Sequence, residues 1–182
     1  MEYHKKDCNS NRKKRYVQGE HEYGCYPDEH YDIHKEKKIG RTIADFSYFN
    51  QAGSVVLTST SADSSVEEII GLVKFKEVFN GDLVSLSGLS TVTVGTISPK
   101  TITFKIHKVI NPQYNPLLSP TIYVHTISVD ANMAFSVPLE FVDVFIEDED
   151  EVNYYYTVSI PSGVAAIATV SNSTHTGNLY RQ

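Results

Sequence analysis

The sequence has no tryptophan, only two methionines and only two cysteines among its 182 residues. Two cysteines are too few for a disulfide-dense scaffold. No stretch approaches the roughly 20 apolar residues of a membrane span, and the start Met-Glu-Tyr-His-Lys-Lys lacks the apolar stretch of a secretory signal. A net charge of −6 leaves no basic surplus for a broad nucleic-acid surface. We therefore expect neither a membrane nor a nucleic acid as a partner.

Charge and hydrophobicity divide the chain at residue 38. Residues 1–38 carry nine Lys/Arg and eight Asp/Glu, and besides Met1 their only aliphatic residues are Val17 and Ile33. Such a segment cannot bury enough apolar surface to offset the ~1–2 kcal/mol per residue that ordering the backbone costs. We predict a disordered N-terminal arm over residues 1–38, which orders only on assembly, and a folded domain over residues 39–182.

The domain shows a repeated period-two pattern. Ile102, Phe104 and Ile106 alternate with polar residues, as do Tyr154 and Tyr156, and turn residues such as Asn-Gly separate the runs. The pattern predicts eight or nine strands, at about 43–49, 54–60, 66–78, 83–95, 101–110, 121–129, 133–147, 152–160 and 163–171. Eight or more antiparallel strands in this length predict an all-β sandwich, most simply a jelly roll.

Three segments carry more specific expectations. In one strand Val142, Val144 and Ile146 form the apolar face, and Phe141 and Phe145 on the opposite side indicate that a neighbour covers that side too. Residues 64–70 are compatible with one helical turn as an alternative to a strand, because Ser65 and Glu68 resemble a capping box. In the proline-rich loop 111–120, Leu117 and Leu118 predict a cover, by a neighbouring subunit in preference to the domain's own edge.

No catalytic constellation is recognisable. The domain contains three histidines, His107, His125 and His175, and no cysteine. No G-x-S-x-G elbow, P-loop, dinucleotide fingerprint, H-E-x-x-H or EF-hand loop occurs. We interpret each histidine as exposed or hydrogen-bonded. The sequence therefore predicts a protein that is not an enzyme and has no catalytic residues, no metal site and no cofactor.

Five consecutive acidic residues, 147–151, lie between two strand patterns. Carboxylates are ligands that a hard cation prefers, but the run lacks the spaced carbonyls and the glycine of a calcium loop. We favour a solvated hairpin tip whose charges discourage edge-to-edge aggregation.

Both cysteines, Cys8 and Cys25, lie in the predicted arm. Thiols in a mobile arm are better placed to form bonds between chains than within a core. Two alternatives stay open: both thiols remain free, or they bind zinc with two of the four histidines His4, His21, His30 and His34, although no C-x₂₋₄-C pair occurs. We predict that Cys8 and Cys25 are candidate intermolecular cross-link sites.

Two other functional classes compete with a structural role. A ligand- or carbohydrate-binding sandwich, such as a phage receptor-binding domain, would stack sugars on exposed aromatic rings, with Tyr114, Tyr123 and Tyr154–Tyr156 as candidates. An enzyme of the cupin kind would need clustered histidine and carboxylate ligands, for which three scattered histidines are too few.

The chain resembles structural proteins of the bacterial endospore surface: exosporium basal-layer proteins, the C-terminal domain of the exosporium collagen-like glycoprotein, and subunits of endospore appendage fibres. The resemblance lies in the cysteine-bearing polar arm followed by a Trp-free domain rich in Ser, Thr and Val. It is carried by the segments Leu83-Val84-Ser85-Leu86-Ser87-Gly88-Leu89, Thr91-Val92-Thr93-Val94-Gly95, Thr101-Ile102-Thr103-Phe104-Lys105-Ile106 and Ser162-Gly163-Val164-Ala165-Ala166-Ile167-Ala168.

This resemblance implies a tumour-necrosis-factor-like jelly roll that self-associates, with a trimer favoured, and that also meets other spore-surface proteins. It implies synthesis in the mother cell without a signal peptide, and an arm that links subunits or anchors them through disulfides. The sequence departs from the family in having no Gly-X-Y repeat, no adjacent cysteine pair and no cysteine in the domain. Any disulfide would therefore run from arm to arm or to another protein.

Overall fold

The computed structural model describes residues 40–51, 53–60, 65–110, 115–161 and 165–181. These residues form nine strands and one short 3₁₀ turn at Pro116–Leu118. The strands are β1 (Thr42–Asn50), β2 (Val55–Ser59), β3 (Val66–Val78), β4 (Leu83–Val94), β5 (Thr101–Val109), β6 (Thr121–Ser128), β7 (Met133–Val144), β8 (Glu149–Ile160) and β9 (Ala166–Arg181). The predicted arm, residues 1–38, lies outside the described residues.

The strands form two antiparallel sheets packed face to face. Sheet A has the order β1-β9-β4-β7, with the short β2 also pairing with β9, and sheet B has the order β3-β8-β5-β6. Sequence neighbours such as β3 and β4, or β7 and β8, lie in different sheets, which is the connectivity of a jelly roll. The predicted fold class, an antiparallel β-sandwich of eight to nine strands, is confirmed.

The core lies between the sheets and contains the alternate residues that the sequence pattern indicates. On β5 the side chains of Ile102, Phe104 and Ile106 are fully buried, and on β8 Tyr154 and Tyr156 are the largest buried side chains. Phe75 on β3 packs edge-on against Tyr154, with ring centroids 6.4 Å apart. On the facing side of sheet A, Leu86 of β4 and Leu139 of β7 are also buried, so apolar groups from both sheets form one core. Burial of this kind supplies most of the stability of a sandwich.

The prediction for the facing of β7 is wrong. Phe145, just after the strand, is buried, and Phe141 packs against the core. Val142, Val144 and Ile146 face outward and are 55%, 54% and 78% exposed. The aromatic rings occupy the core side because they bury more apolar area than valine. As a result, aliphatic side chains are left on the outer surface of sheet A.

The last strand is longer than predicted. The period-two pattern ends near residue 171, but β9 continues to Arg181 and pairs with β1, β2 and β4. His175, which lies beyond the predicted end of the last strand, is therefore in the middle of a central strand. A bulge at Asn172, where the backbone φ is 51°, shifts the register between the two halves of the strand.

The structure also tests three smaller predictions from the sequence. The alternative of a helical turn is wrong for residues 66–70, which belong to β3. The turn between β7 and β8 falls at residues 145–148, so Glu149–Glu151 pair with β3 and are not a free tip. Leu118 is 84% exposed, so the described part of the domain does not cover it.

Candidate functional site

The three domain histidines are separated, and each has a different environment. His175 lies between the sheets, fully buried, with its ring stacked on Tyr156 at a centroid distance of 4.0 Å. Neither ring nitrogen makes a hydrogen bond of ordinary geometry with the described residues. Burial lowers the pKa of His175 to about 4, and an approach to the Ile70 main chain opposes this only in part. His175 is therefore a neutral core residue.

His107 belongs to a satisfied polar network on the outer side of sheet B. Its Nε2 atom donates to Glu67 Oε1 at 3.0 Å, and Thr157 Oγ1 donates to the same oxygen at 2.6 Å. Lys105 Nζ donates to Glu67 Oε2 at 2.7 Å. Burial alone would raise the pKa of Glu67, but the hydrogen bonds from Lys105, Thr157 and His107 outweigh it and lower that pKa.

On its other side, His107 Nδ1 lies 3.1 Å from the Ser119 carbonyl oxygen and 3.3 Å from Thr121 Oγ1. The ring thereby joins the end of the proline-rich loop to the sheet. With Glu67 fully occupied by its three donors, this network fastens the loop and offers no free nucleophile or base.

A second ion pair closes one end of the sandwich. Lys108 Nζ on β5 lies 2.7 Å from Asp143 Oδ2 on β7, and Tyr154 donates to the same oxygen at 2.7 Å. The Lys108 ammonium also lies 3.9 Å from the centre of the Phe145 ring. Burial, together with the hydrogen bond to Asp143, raises the pKa of Tyr154. This cluster links sheet B to sheet A, and all three polar groups are partnered.

The acidic run does not form a cation site. Asp148 accepts the main-chain N–H of Asn80 at 2.7 Å, and Glu151 pairs with Lys74 at 2.7 Å. Hydrogen bonds from Lys74 and Asn153 lower the pKa of Glu151. Within the described residues, no three His, Cys, Asp or Glu side chains lie close enough together to hold a metal ion. The described part also has no helix long and apolar enough to cross a membrane.

The tyrosines proposed for sugar stacking have different locations. Tyr154 and Tyr156 are fully buried, so the expectation that they are exposed is wrong, and Tyr155 is half-buried. Tyr114 lies outside the described residues. Tyr123 is half-buried at the open side of the sandwich, where its ring is nearly parallel to that of His125.

The most distinctive surface is the outer face of sheet A, which we call the A face. The strand register aligns its side chains in rows that cross all four strands. One row is Ile43, Tyr180, Leu83 and Val144, and the next is Phe46, Asn178, Ser85 and Val142. Ile43, Phe46 and Tyr48 at one edge are all more than half exposed, as are Val142 and Val144 at the other.

Charge is nearly absent from the A face. The strands of sheet A contain four charged residues, Asp45, Glu140, Asp143 and Arg181. Asp143 turns inward to Lys108, Arg181 bonds to Asp82, and Asp45 lies in a cleft beside Lys76. Only Glu140 remains in the rows of the A face. The strands of sheet B, in contrast, contain ten charged residues.

The candidate cross-link residues, Cys8 and Cys25, lie outside the described residues, so their role stays a prediction. Sequence reasoning missed the A face because it placed the β7 valines in the core. The signal that could have revealed it is the scarcity of charged residues in β1, β4 and β9, which contain only Asp45 and Arg181, since surface strands normally alternate apolar with charged or polar residues.

No protein-family model matches this chain, and no curated protein is detectably similar to it. Solved structures with some likeness include a chain of infectious bursal disease virus, Gx strain, which is 9% identical, with a TM-score of 0.45. The alignment covers 75% of this chain and 36% of the viral chain, so this chain spans about a third of that protein's length.

Two further structures have a length closer to that of this chain. One is a CBM4 protein, 14% identical, with 74% of this chain and 76% of that chain covered and a TM-score of 0.38. The other is Eiger TNF from S. frugiperda, 14% identical, with 69% and 90% covered and a TM-score of 0.34. At these identities and TM-scores, no functional property carries over from any of the three, and what describes this chain is its jelly-roll β-sandwich fold.

Proposed function

We propose that this chain is a structural, non-catalytic protein that self-associates through the A face. The observation that carries the proposal is the pair of adjacent rows in which Ile43, Phe46, Val142 and Val144 are exposed while only one charge, Glu140, lies nearby. Monomeric soluble proteins rarely expose contiguous apolar patches of more than a few hundred Å².

A second copy of the chain is the partner that this surface fits best. The A face is apolar at both edges and lined with Ser and Thr hydroxyls in the middle, such as the Ser87–Thr176 pair whose oxygens lie 2.6 Å apart. Two such faces can meet without opposing large charges, whereas the strands of sheet B carry ten charged residues, some of them paired with each other, such as Glu67 with Lys105 and Lys74 with Glu151. The preference for a trimer over other assemblies comes from the sequence resemblance alone.

The proposed location is the endospore surface, either the exosporium or an appendage fibre. Support for this location comes from the sequence resemblance alone. In this proposal the N-terminal segment links subunits, or links the domain to other spore-surface proteins, through Cys8 and Cys25. The domain itself contains no cysteine, so such a link joins two arms or an arm and another protein.

Replacing Phe46 with Glu is expected to weaken self-association by at least roughly tenfold, because it buries an unpaired carboxylate among the apolar side chains at the β1 edge of the A face. Sedimentation velocity and light scattering of the full chain at micromolar concentration measure this. The matched control is Val124→Glu, since Val124 is similarly exposed on sheet B and faces Lys105 across the strands. A monomeric wild-type protein, or equal effects of both variants, would contradict the proposal.

Covalent linkage through the N-terminal segment gives a separate expectation. On a non-reducing gel, oxidised wild-type protein should run as dimers and larger species, which a reductant converts to monomer. The double variant Cys8→Ser/Cys25→Ser should run as monomer under both conditions, while its non-covalent association in light scattering stays unchanged. If native material is monomeric on the non-reducing gel, the cross-linking role of these cysteines is wrong.

A further inference from the structure

The sandwich is open on one side, where β6 of sheet B and β7 of sheet A are both edge strands. Among the described strands, β6 pairs only with β5, and β7 pairs only with β4. A cleft of about 240 Å³ lies between them. Because β6 and β7 are described along their whole lengths, the residues on both sides of this cleft are known.

The floor of the cleft is apolar and aromatic. It is formed by Phe135, Met133 and the imidazole of His125. The rings of His125 and Tyr123 are nearly parallel, with an interplanar angle of 13° and centroids 6.5 Å apart. Tyr123 in turn packs on Phe141 of sheet A, with centroids 5.8 Å apart. This chain of rings holds His125 in place from both sheets, so the floor is formed before any ligand binds.

The rim of the cleft carries polar groups that the fold does not use. Ser128 on β6 and Ser136 on β7 both line it, and both are exposed. Neither serine side chain, nor the imidazole of His125, makes a hydrogen bond to the described residues, in contrast to His107, which is bonded at both nitrogens. Two serine hydroxyls at the rim and the imidazole in the floor are therefore available to hydrogen-bond a ligand.

Size and charge limit the ligand. The cleft is smaller than the roughly 300–1,000 Å³ of sites for drug-sized molecules, so it fits a single ring better than a peptide or a long oligosaccharide. No Asp, Glu, Lys or Arg is among its described lining residues, so it favours a neutral ligand. Pro138 on β7 also lacks the N–H that an added peptide strand would need.

We propose that the cleft between β6 and β7 binds one pyranose ring of a neutral sugar. Such a ring presents a C–H face that packs against Phe135 and His125, and hydroxyl groups at its edge that bond to Ser128, Ser136 and the imidazole nitrogens. The cleft and the A face share strand β7: Phe135 faces the space between the sheets, whereas Ser136 lies on the same side of the strand as Glu140.

Titration of the ¹⁵N-labelled full chain with methyl glycosides of glucose, galactose, mannose and N-acetylglucosamine tests the proposal. At least one glycoside should shift the amide signals of β6 and β7 and should receive saturation transfer at its ring C–H protons. The dissociation constant should be on the order of millimolar, as expected for a ligand of this size in an open site. Cyclohexanol serves as the apolar probe and should bind at least roughly tenfold more weakly than the best glycoside, because it lacks all but one hydroxyl.

Variants then locate the site. His125→Ala should weaken binding by roughly tenfold and Ser136→Ala by a few-fold, whereas Val124→Ala, on the opposite face of β6, should leave it unchanged. Since Ser136 is exposed, its variant keeps the test valid if His125→Ala fails to fold. The proposal is overturned if no glycoside shifts these signals, if cyclohexanol binds as tightly as the best glycoside, or if Val124→Ala weakens binding as much as the cleft variants.

Discussion

Replacing Gly71 with Ala is expected to destabilise the domain by about 3 kcal/mol, a large effect for one methyl group. A Cβ at Gly71 would overlap Cδ2 of His175 and lie 2.8 Å from its Cγ. The imidazole cannot move away easily, because a Cβ position on Gly88 would lie only 2.5 Å from Nδ1 on the other side, and Tyr156 stacks on the ring face. Chemical denaturation of the full chain measures the change in unfolding free energy.

The control for this substitution is Gly95→Ala. Gly95 has no atom within 4 Å of its would-be Cβ and an ordinary φ, so the change should remain within about 0.5 kcal/mol. A double-mutant cycle with His175→Ala gives a sharper test, because removing the imidazole should abolish most of the cost of Gly71→Ala. If Gly71→Ala costs the same with and without His175, the ring is not what makes glycine necessary there.

Gly71 and Gly88 also show what a single sequence can and cannot predict. A glycine inside a strand indicates that another group approaches the backbone closely, and both glycines lie within the strands predicted at 66–78 and 83–95. The approaching group was not predictable, because His175 lies about ninety residues away in a stretch without alternating apolar residues. Only the pairing of His175 with Gly88, and of Tyr156 with Gly71, brings the four residues together.

The same limit explains the incorrect end of β9. From residue 171 onward its inward positions are occupied by Ser173, His175, Gly177 and Leu179, of which only one is aliphatic. A pattern based on hydrophobicity therefore ends too early, although the strand is central to sheet A. Ser173 is tolerated in the core because it donates to Ser90 Oγ at 3.0 Å, which satisfies both hydroxyl groups. Sequence periodicity predicted where aliphatic residues form the core and failed where polar residues do.

The incorrect prediction of which side of β7 faces the core has a different cause. Because of that error, the sequence did not predict the exposed A face. Residues 141–146 alternate between two apolar sets, so period two defines the two faces but not which one is inside. In the structure Phe141 and Phe145 face the core. Asp143 faces inward with them because it pairs with Lys108 and accepts a hydrogen bond from Tyr154. Since side chains alternate along a strand, Val142 and Val144 then face the solvent. Self-association through the A face would therefore bury Val142 and Val144, the apolar side chains of this segment that lie outside the core.

The free energy of unfolding is expected to fall by about 3 kcal/mol as pH decreases from about 6.5 to 4, because of His175 alone. Burial lowers the pKa of His175 to about 4 in the folded state, whereas the unfolded chain keeps the ordinary value of 6.5. Between these values the unfolded chain binds more protons, so acid favours unfolding. Among the described residues, the titratable side chain that stacks on the ring is Tyr156, and burial raises the pKa of that hydroxyl, so it does not offset the effect.

Denaturant unfolding of the wild type and of His175→Phe at several pH values between 4 and 7.5 isolates this contribution. Glu67, whose pKa is lowered by its hydrogen bonds, also loses stabilising interactions on acidification, but it does so in both proteins and near or below its ordinary value of 4.5. The difference in slope between the two proteins should therefore belong to His175. Because the phenyl ring is larger than the imidazole and the site between Gly71 and Gly88 is tight, His175→Gln provides a second variant that does not titrate. Equal slopes in wild type and both variants would show that His175 does not titrate below its ordinary pKa.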